Sequence, residues 1–142
     1  MQLTRHFTLD EMTGTATGLA NVPNATERGH LVALCQHVLQ PLRDALGQPV
    51  IVNSAFRSEA VNRAVGGVSS SQHRLGQAAD IRADGLTPPD LAAKIVALGL
   101  PYDQLISEPG WVHVSYSARH RRQVLTARRQ NGRVVYSEGL SR

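Results

Sequence analysis

Two stretches of the chain combine residue types that bind metal ions and transfer protons. The first places His73 in a polar loop and Asp80 at the start of a predicted strand. The second places Glu108 in a Pro-Gly turn and His113 on the strand that follows. Catalytic zinc sites usually have three protein ligands and a fourth position for water. His73, Asp80 and His113 meet that number, and Glu108 would then be free to act as a base.

Each of these pieces also has an ordinary structural explanation when it is taken singly. A His and an Asp in one polar loop are usually a solvated pair, and a His beside a Trp on a strand is usually a core or surface residue. A joint site requires the chain between His73 and Asp80 to reverse direction, and Gly76 permits that reversal.

The elements that must position these residues predict an α+β fold. The 142 residues are 42% hydrophobic and 18% charged, as expected for one globular domain over residues 1–142. Capping residues and apolar periodicity predict helices at 8–12, 26–46 (capped by Thr26, interrupted at Pro41), 58–65 and 87–98. Other patterns predict strands at 49–53, 78–82, 104–107, 111–116, 123–127 and 133–136. Because the elements do not alternate in βαβ order, we expect an antiparallel sheet.

Several classes of protein are excluded or disfavoured by composition. Cys35 is the only cysteine, so there is no disulfide framework or cysteine zinc cluster, and its place on an apolar helix stripe predicts an inert thiol. The chain contains no Gly-x-Ser-x-Gly elbow and no phosphate-binding P-loop. We expect no membrane span and no signal peptide, because no long apolar stretch occurs and the start lacks an apolar segment.

A longer pattern contains both stretches. It consists of Ser-x-His-x-x-Gly-x-Ala-x-Asp at 71–80, Trp-x-His-x-Ser at 111–115, and an earlier Ser-Ala-Phe-Arg-Ser at 54–58 with Asn62. This pattern resembles the zinc D-Ala-D-Ala carboxypeptidase family, the fifteenth metallopeptidase family, which also includes dipeptidases and the L-Ala-D-Glu endolysins of phages. The resemblance covers residues 3–140 and is greatest to the small single-domain branch seen in phages and prophages.

The resemblance implies a fold and a set of roles. The fold would be that of hedgehog and DD-peptidase domains, with N-terminal helices and a central antiparallel sheet that has helices packed on one side. One zinc ion would bind to His73, Asp80 and His113, with Glu108 as catalytic base. In the dipeptidase branch the base stands three residues before the second His, where this chain has Gly110, whereas Glu108 stands five before.

Four further residues are candidates for substrate binding. The resemblance implies this role for Arg57 and Ser71, and we expect Gln72 and Trp111 to form pocket walls. Arg57 suits a substrate carboxylate or a developing oxyanion, or alternatively an ion pair that holds a strand-to-helix corner. The Ser71 hydroxyl suits the substrate or its own loop backbone equally well.

The net charge of +4 is unevenly distributed. Residues 1–118 carry eight cations and ten carboxylates, whereas residues 119–142 carry seven arginines and Glu138. The basic segment suits long-range attraction to an anionic wall polymer, or edge strands that charge keeps from pairing. Nucleic acid is not an expected partner, because Tyr136 is the single aromatic residue near these arginines.

Together these features predict a zinc-dependent peptidase that cuts the stem peptides of bacterial cell wall. The resemblance implies that the bond cut involves a D-amino acid. Without a signal peptide, we expect a monomeric phage or prophage endolysin that is made in the cytoplasm and released by lysis, or a virion component. The alternative is a non-catalytic module in which the same zinc site is structural and which binds wall peptide or a partner.

Overall fold

The computed structural model describes residues 1–140, so Ser141 and Arg142 of the predicted domain lie outside the described part. The helices are α1 Leu9–Met12, α2 Ala25–Leu34, α3 Gln40–Leu46, α4 Glu59–Ala64 and α5 Pro88–Ala97, with a π-helical segment Cys35–Leu39 and a 3-10 turn Gln72–Leu75. The strands are β1 Gln2–Thr4, β2 Phe7–Thr8, β3 Ile51–Ser54, β4 Ala78–Arg82, β5 Gln104–Glu108, β6 Trp111–Ser115, β7 Gln123–Gln130 and β8 Arg133–Glu138. The elements are mixed as the sequence predicts, in agreement with the α+β class.

The main sheet of the described chain has the order β3-β4-β6-β5-β7-β8, and β1 and β2 form a separate small ladder. The prediction of an antiparallel sheet is wrong for one pair, because β5 and β7 run parallel. The reason is the path of the chain. β6 ends beside the start of β5, and residues 116–122 then cross to the other side of β5 at that same end. A connection of seven residues suffices for this crossing, since it passes only one strand.

The hydrophobic core lies against one face of this sheet. Side chains alternate between the two faces of a strand, so Leu105, Val112 and Val114 share the core face. Helix α5 contacts β5 and β6, and α2 and α3 add buried leucines to the same cluster. The opposite face carries Asp80 and His113 and remains open as one wall of a cleft. Among residues 1–140, no helix is long and apolar enough to cross a membrane.

The long N-terminal helix begins two residues earlier than predicted. Its cap is Asn24 rather than Thr26, because Asn24 Oδ1 accepts a hydrogen bond from the Glu27 amide while Glu27 Oε1 accepts one from the Asn24 amide. This reciprocal capping box satisfies two backbone donors at once. The predicted interruption at Pro41 takes the form of the π-helical segment just before it, and the helical run ends at Gly47 as expected.

Gly76 ends the 3-10 turn and allows the chain to reverse direction before β4. Its φ is +74°, and a Cβ atom at this position would lie 2.6 Å from the Glu27 carbonyl oxygen. Gly76→Ala is therefore expected to lower the free energy of unfolding by about 3 kcal/mol in chemical denaturation. Gly85→Ala is the control, because its φ of +81° is equally unfavourable while no atom lies within 4 Å. It should cost about 1 kcal/mol, and equal losses would contradict the proposed clash.

Candidate active site

The open face of the sheet brings the predicted ligands into one row. Asp80 on β4 pairs directly with His113 on β6, Ser54 lies beside Asp80 on β3, and Ile106 lies beside His113 on β5. Because directly paired residues point to the same face, these four side chains lie side by side across the sheet. The alternation of apolar and polar residues in β6 fixes the register of this strand, because a shift by one residue would turn His113 towards the core.

His73 reaches this row from the 3-10 turn. The turn begins at Ser71, whose hydroxyl accepts a hydrogen bond from the His73 amide, and ends at Gly76 in the left-handed conformation. It is held against α2 by His30, whose Nδ1 lies 2.7 Å from the Leu75 carbonyl oxygen. The imidazole of His73 is thereby fixed above the sheet and is only 2% exposed.

The three predicted ligand atoms converge on one point. His73 Nε2 lies 3.2 Å from Asp80 Oδ1, and His113 Nδ1 lies 3.0 Å from the same oxygen. All three atoms lie within 4.8 Å of one another. One metal ion can therefore contact one nitrogen from each imidazole and one carboxylate oxygen, the donor set that suits zinc.

The hydrogen bond on the far side of the His73 ring tests whether a cation fits. His73 Nδ1 lies 2.7 Å from the Ala55 carbonyl oxygen, which can only accept, so Nδ1 carries the proton. In the neutral ring, Nε2 then presents a lone pair to Asp80 Oδ1. Two lone pairs at this distance require a proton or a cation between them, and a backbone carbonyl behind a histidine is the usual support of a metal ligand. The residues present fit a zinc ion.

Two carboxyl groups at this site have shifted pKa values. Burial alone would raise the pKa of Asp80. A hydrogen bond from His113, and one from His73 when both of its ring nitrogens carry a proton, outweigh burial and lower the pKa below its usual range. The pKa of Glu108 is raised above its ordinary value. Burial is the largest cause, the charge of His113 opposes the shift, and the charge of Asp80 adds to it. Glu108 lines the same cleft as both of these ligands.

The turn at Pro109 and Gly110 sets the position of Glu108. It joins β5 to β6 so that Glu108 pairs with Trp111, two positions along the ladder from the Ile106–His113 pair. Gly110 has a φ of +108°, a value that residues with a Cβ atom rarely adopt. Glu108 and His113 consequently share the open face although five residues separate them in sequence.

All eight predicted site residues line one cleft of about 630 Å³, namely Arg57, Ser71, Gln72, His73, Asp80, Glu108, Trp111 and His113. Arg57 makes an ion pair, as one of its two predicted roles required, since Nη2 lies 3.3 Å from Asp80 Oδ2; its Nε donates to the Ser54 hydroxyl. The Ser71 hydroxyl bonds to its own loop, and Gln72 Nε2 donates to Asp103 Oδ2. Trp111 Nε1 is buried without a hydrogen-bond partner in the described chain.

Sequence reasoning missed several further residues that line the cleft, among them Gln104, Arg119, Arg121 and Tyr136. The two arginines were expected only as part of a basic segment beside a hairpin. They instead belong to the crossing between β6 and β7, where they bind Asp103. A signal was available for Asp103, since a lone carboxylate next to a buried strand needs basic partners.

Asp103 is fully buried and is held by arginine. Burial alone would raise its pKa, but hydrogen bonds from Arg121 hold the pKa well below the ordinary value of 3.8. The folded protein thus binds this proton less readily than the unfolded chain, so the stabilisation is present above pH 3.8 and is lost as the pH falls below it. Asp103→Asn should lower the free energy of unfolding at pH 7 by about 2 kcal/mol. In denaturation curves the difference from wild type should shrink below that pH, and a difference independent of pH would contradict this account.

A cleft in which three ligand groups converge beside a further carboxylate is typical of metal-dependent hydrolases. The family model described as Peptidase M15 matches residues 5–115, which is most of the chain, and the chain belongs to this family. A segment of 46 residues is 50% identical to the zinc D-Ala-D-Ala carboxypeptidase of Streptomyces albus G. That segment covers 32% of this chain and 18% of the relative, so the match spans less than a fifth of the curated protein.

Proposed function

We propose that this chain is a zinc-dependent peptidase that hydrolyses peptidoglycan stem peptides at a bond involving a D-amino acid. The observation that carries the proposal is the convergence of His73 Nε2, Asp80 Oδ1 and His113 Nδ1 in an open cleft that Glu108 also lines. Membership of the Peptidase M15 family supports peptide hydrolysis. The similarity to a zinc D-Ala-D-Ala carboxypeptidase supports both the metal and the D-amino acid.

The two histidines and Asp80 would hold one zinc ion in this proposal. When bound, zinc lowers the pKa of a water ligand to about 7 and polarises a carbonyl oxygen. Hydrolysis then needs no nucleophilic side chain. The state of the cysteine is consistent with this. Burial raises the pKa of the Cys35 thiol to about 12, with a further contribution from the charge of Glu11, so the thiol is not a ready nucleophile.

Glu108 would move the proton that hydrolysis requires. The water oxygen bonds to the carbonyl carbon, the carbon–nitrogen bond breaks, and one proton must pass from the water to the departing amine. A carboxylate that lines the cleft can accept that proton and then donate it. The raised pKa of Glu108 favours this role, because it brings the group closer to the pH at which transfer in both directions is efficient.

Arg57 would bind a carboxylate of the substrate or the developing oxyanion. Its Nη2 and Nε contact Asp80 and Ser54, which fix the guanidinium in the cleft wall. Charge-assisted bonds from a fixed guanidinium are stronger than those between neutral groups. Ser71, Gln72 and Trp111 would form the surrounding walls.

The remaining parts of the proposal are predictions made from the sequence and from the resemblance. They are a single domain over residues 1–142 with the hedgehog and DD-peptidase arrangement, a monomeric state, and a role as a phage or prophage endolysin. Such an endolysin would act on the wall after lysis or as a virion component.

The proposal is tested by digesting purified muropeptides with zinc-loaded protein and identifying the products by mass spectrometry. We expect cleavage at one bond of the stem peptide. A chelator should abolish the cleavage, and added zinc should restore it. Muropeptides that remain uncut while zinc is bound would contradict the proposal and favour a non-catalytic binding module.

A further inference from the structure

The end of the cleft opposite Glu108 contains a pair of arginines that the proposed reaction does not use. Arg119 and Arg121, here called the arginine pair, lie in the crossing between β6 and β7 and line the cleft. Their side chains are 59% and 38% exposed. They are part of the cleft wall and not of the exposed hairpin.

The arginine pair is anchored on the buried carboxylate of Asp103. Oδ1 accepts hydrogen bonds from the backbone amide and Nε of Arg121, both at 3.0 Å. Oδ2 accepts from Arg121 Nη2 at 3.1 Å and from Arg119 Nη2 at 3.0 Å. Gln72, the neighbour of His73, donates to the same oxygen at 3.0 Å. The anchor therefore connects the arginine pair to the turn that carries a predicted metal ligand.

The backbone around the pair is held in an unfavourable conformation. His120 and Arg122 have φ values of 43° and 53°, in the left-handed region that L-residues with a side chain seldom adopt. These two residues flank Arg121, whose amide and side chain both bond to Asp103. Such conformations persist where the surrounding contacts determine them. The crossing thus presents its arginines in a fixed geometry.

This cluster has a surplus of positive charge that faces the cleft. One buried carboxylate balances one of the two guanidinium groups, and Gln72 is neutral. Within residues 1–140, the side-chain hydrogen bonds of Arg119 use Nη2 alone, so Nε and Nη1 remain for a ligand. A guanidinium with open N–H donors suits an anion such as a carboxylate.

The distance along the sheet indicates which anion would reach it. Asp103 precedes Ile106, the neighbour of His113, by three residues, which corresponds to about 10 Å along an extended strand. An extended peptide covers this distance in roughly three residues. A peptide that is cut beside His113 could therefore bring a second carboxylate to the arginine pair.

We propose that Arg119 and Arg121 form a second anion subsite, which binds a carboxylate of the peptide substrate separately from the group bound by Arg57. The inference rests on the proposed function, since it concerns the substrate of the same cleft. Arg119 is the specificity-determining contact, because it is the more exposed and donates only one bond to the anchor. Arg121 positions the crossing through its three bonds to Asp103.

The test compares two synthetic stem peptides that differ in one group, a free carboxylate or a carboxamide on the D-Glu residue. The affinities of both peptides are measured by calorimetry for three zinc-loaded proteins. These are the Glu108→Gln variant, which serves as the background, and two double variants that combine Glu108→Gln with Arg119→Gln or with Arg133→Gln. We expect the free carboxylate to bind about tenfold more tightly. Arg119→Gln should bring the two affinities within twofold of each other. Arg133→Gln removes the same charge from the exposed hairpin and should keep the preference.

Two results would overturn the inference: equal affinities of both peptides for the Glu108→Gln background, or an equal loss of preference in both arginine variants, which would indicate general attraction between charges. Turnover of the same peptides by zinc-loaded protein with Glu108 intact is followed in parallel. If neither peptide is cut while the preference for the carboxylate remains, the proposed hydrolysis is wrong and the anion subsite stands.

Discussion

Glu108→Gln is expected to reduce the turnover of stem peptides by about 1,000-fold, in the range that general acid–base groups contribute. The amide has nearly the shape of the carboxylate but neither accepts nor returns the proton of the attacking water. The zinc content should not change, since Glu108 lies outside the group of converging ligand atoms. Turnover is measured by product formation at saturating peptide, and zinc by elemental mass spectrometry.

The matched control is Glu138→Gln, which removes one carboxylate from the exposed end of β8. It should leave turnover within twofold of wild type. Two outcomes would remove Glu108 from its proposed role. If Glu108→Gln retains more than a tenth of the turnover, another group is the base, and if it loses its zinc, Glu108 is a ligand.

His73→Ala should weaken zinc binding by well over 100-fold and abolish hydrolysis. Loss of a supporting residue alone typically costs 10- to 100-fold in metal affinity, and here a ligand itself is removed. Zinc affinity is measured by competition with a chromogenic chelator. Circular dichroism of each variant shows whether the fold is retained, because the imidazole is almost fully buried.

His37→Ala is the control for an imidazole outside the ligand group. His37 is exposed, and its ring stacks on Tyr116 at 4.7 Å. This variant should bind zinc as wild type does. Zinc retained at one equivalent by folded His73→Ala protein would contradict the assignment of His73.

The parts of the fold that sequence predicts well are those specified by neighbouring residues. Thr87 and Pro88 begin α5 as expected, because a capping hydroxyl followed by a proline is a local signal. Asn131 and Gly132 both have positive φ and form the turn between β7 and β8, as the Asn-Gly pair predicts. The parallel pairing of β5 and β7 was not predictable in this way. It depends on the side of β5 to which residues 116–122 cross, and no local signal gives that side.

The candidate site likewise contains residues that local sequence predicts and residues that only the tertiary fold brings together. Seven of the eight predicted residues that the structure brings into one cleft belong to the short motifs at 54–58, 71–80 and 111–115, and Glu108 lies three residues before the last of these. Asp103 and the arginine pair come together only through the crossing, so in sequence they resemble surface charges. Tyr136 enters the cleft because β8 is the third strand from β6, a consequence of the strand order that its local pattern does not contain.

The most direct test of the central claim is a crystal structure of the zinc-loaded protein with diffraction data collected on both sides of the zinc absorption edge. The account predicts one anomalous peak in the cleft, about 2.0–2.2 Å from His73 Nε2, Asp80 Oδ1 and His113 Nδ1. The Glu108 carboxylate should lie within hydrogen-bonding distance of a water molecule at that peak. A peak at other residues, or a cleft without zinc in protein that hydrolyses stem peptides, would contradict the account.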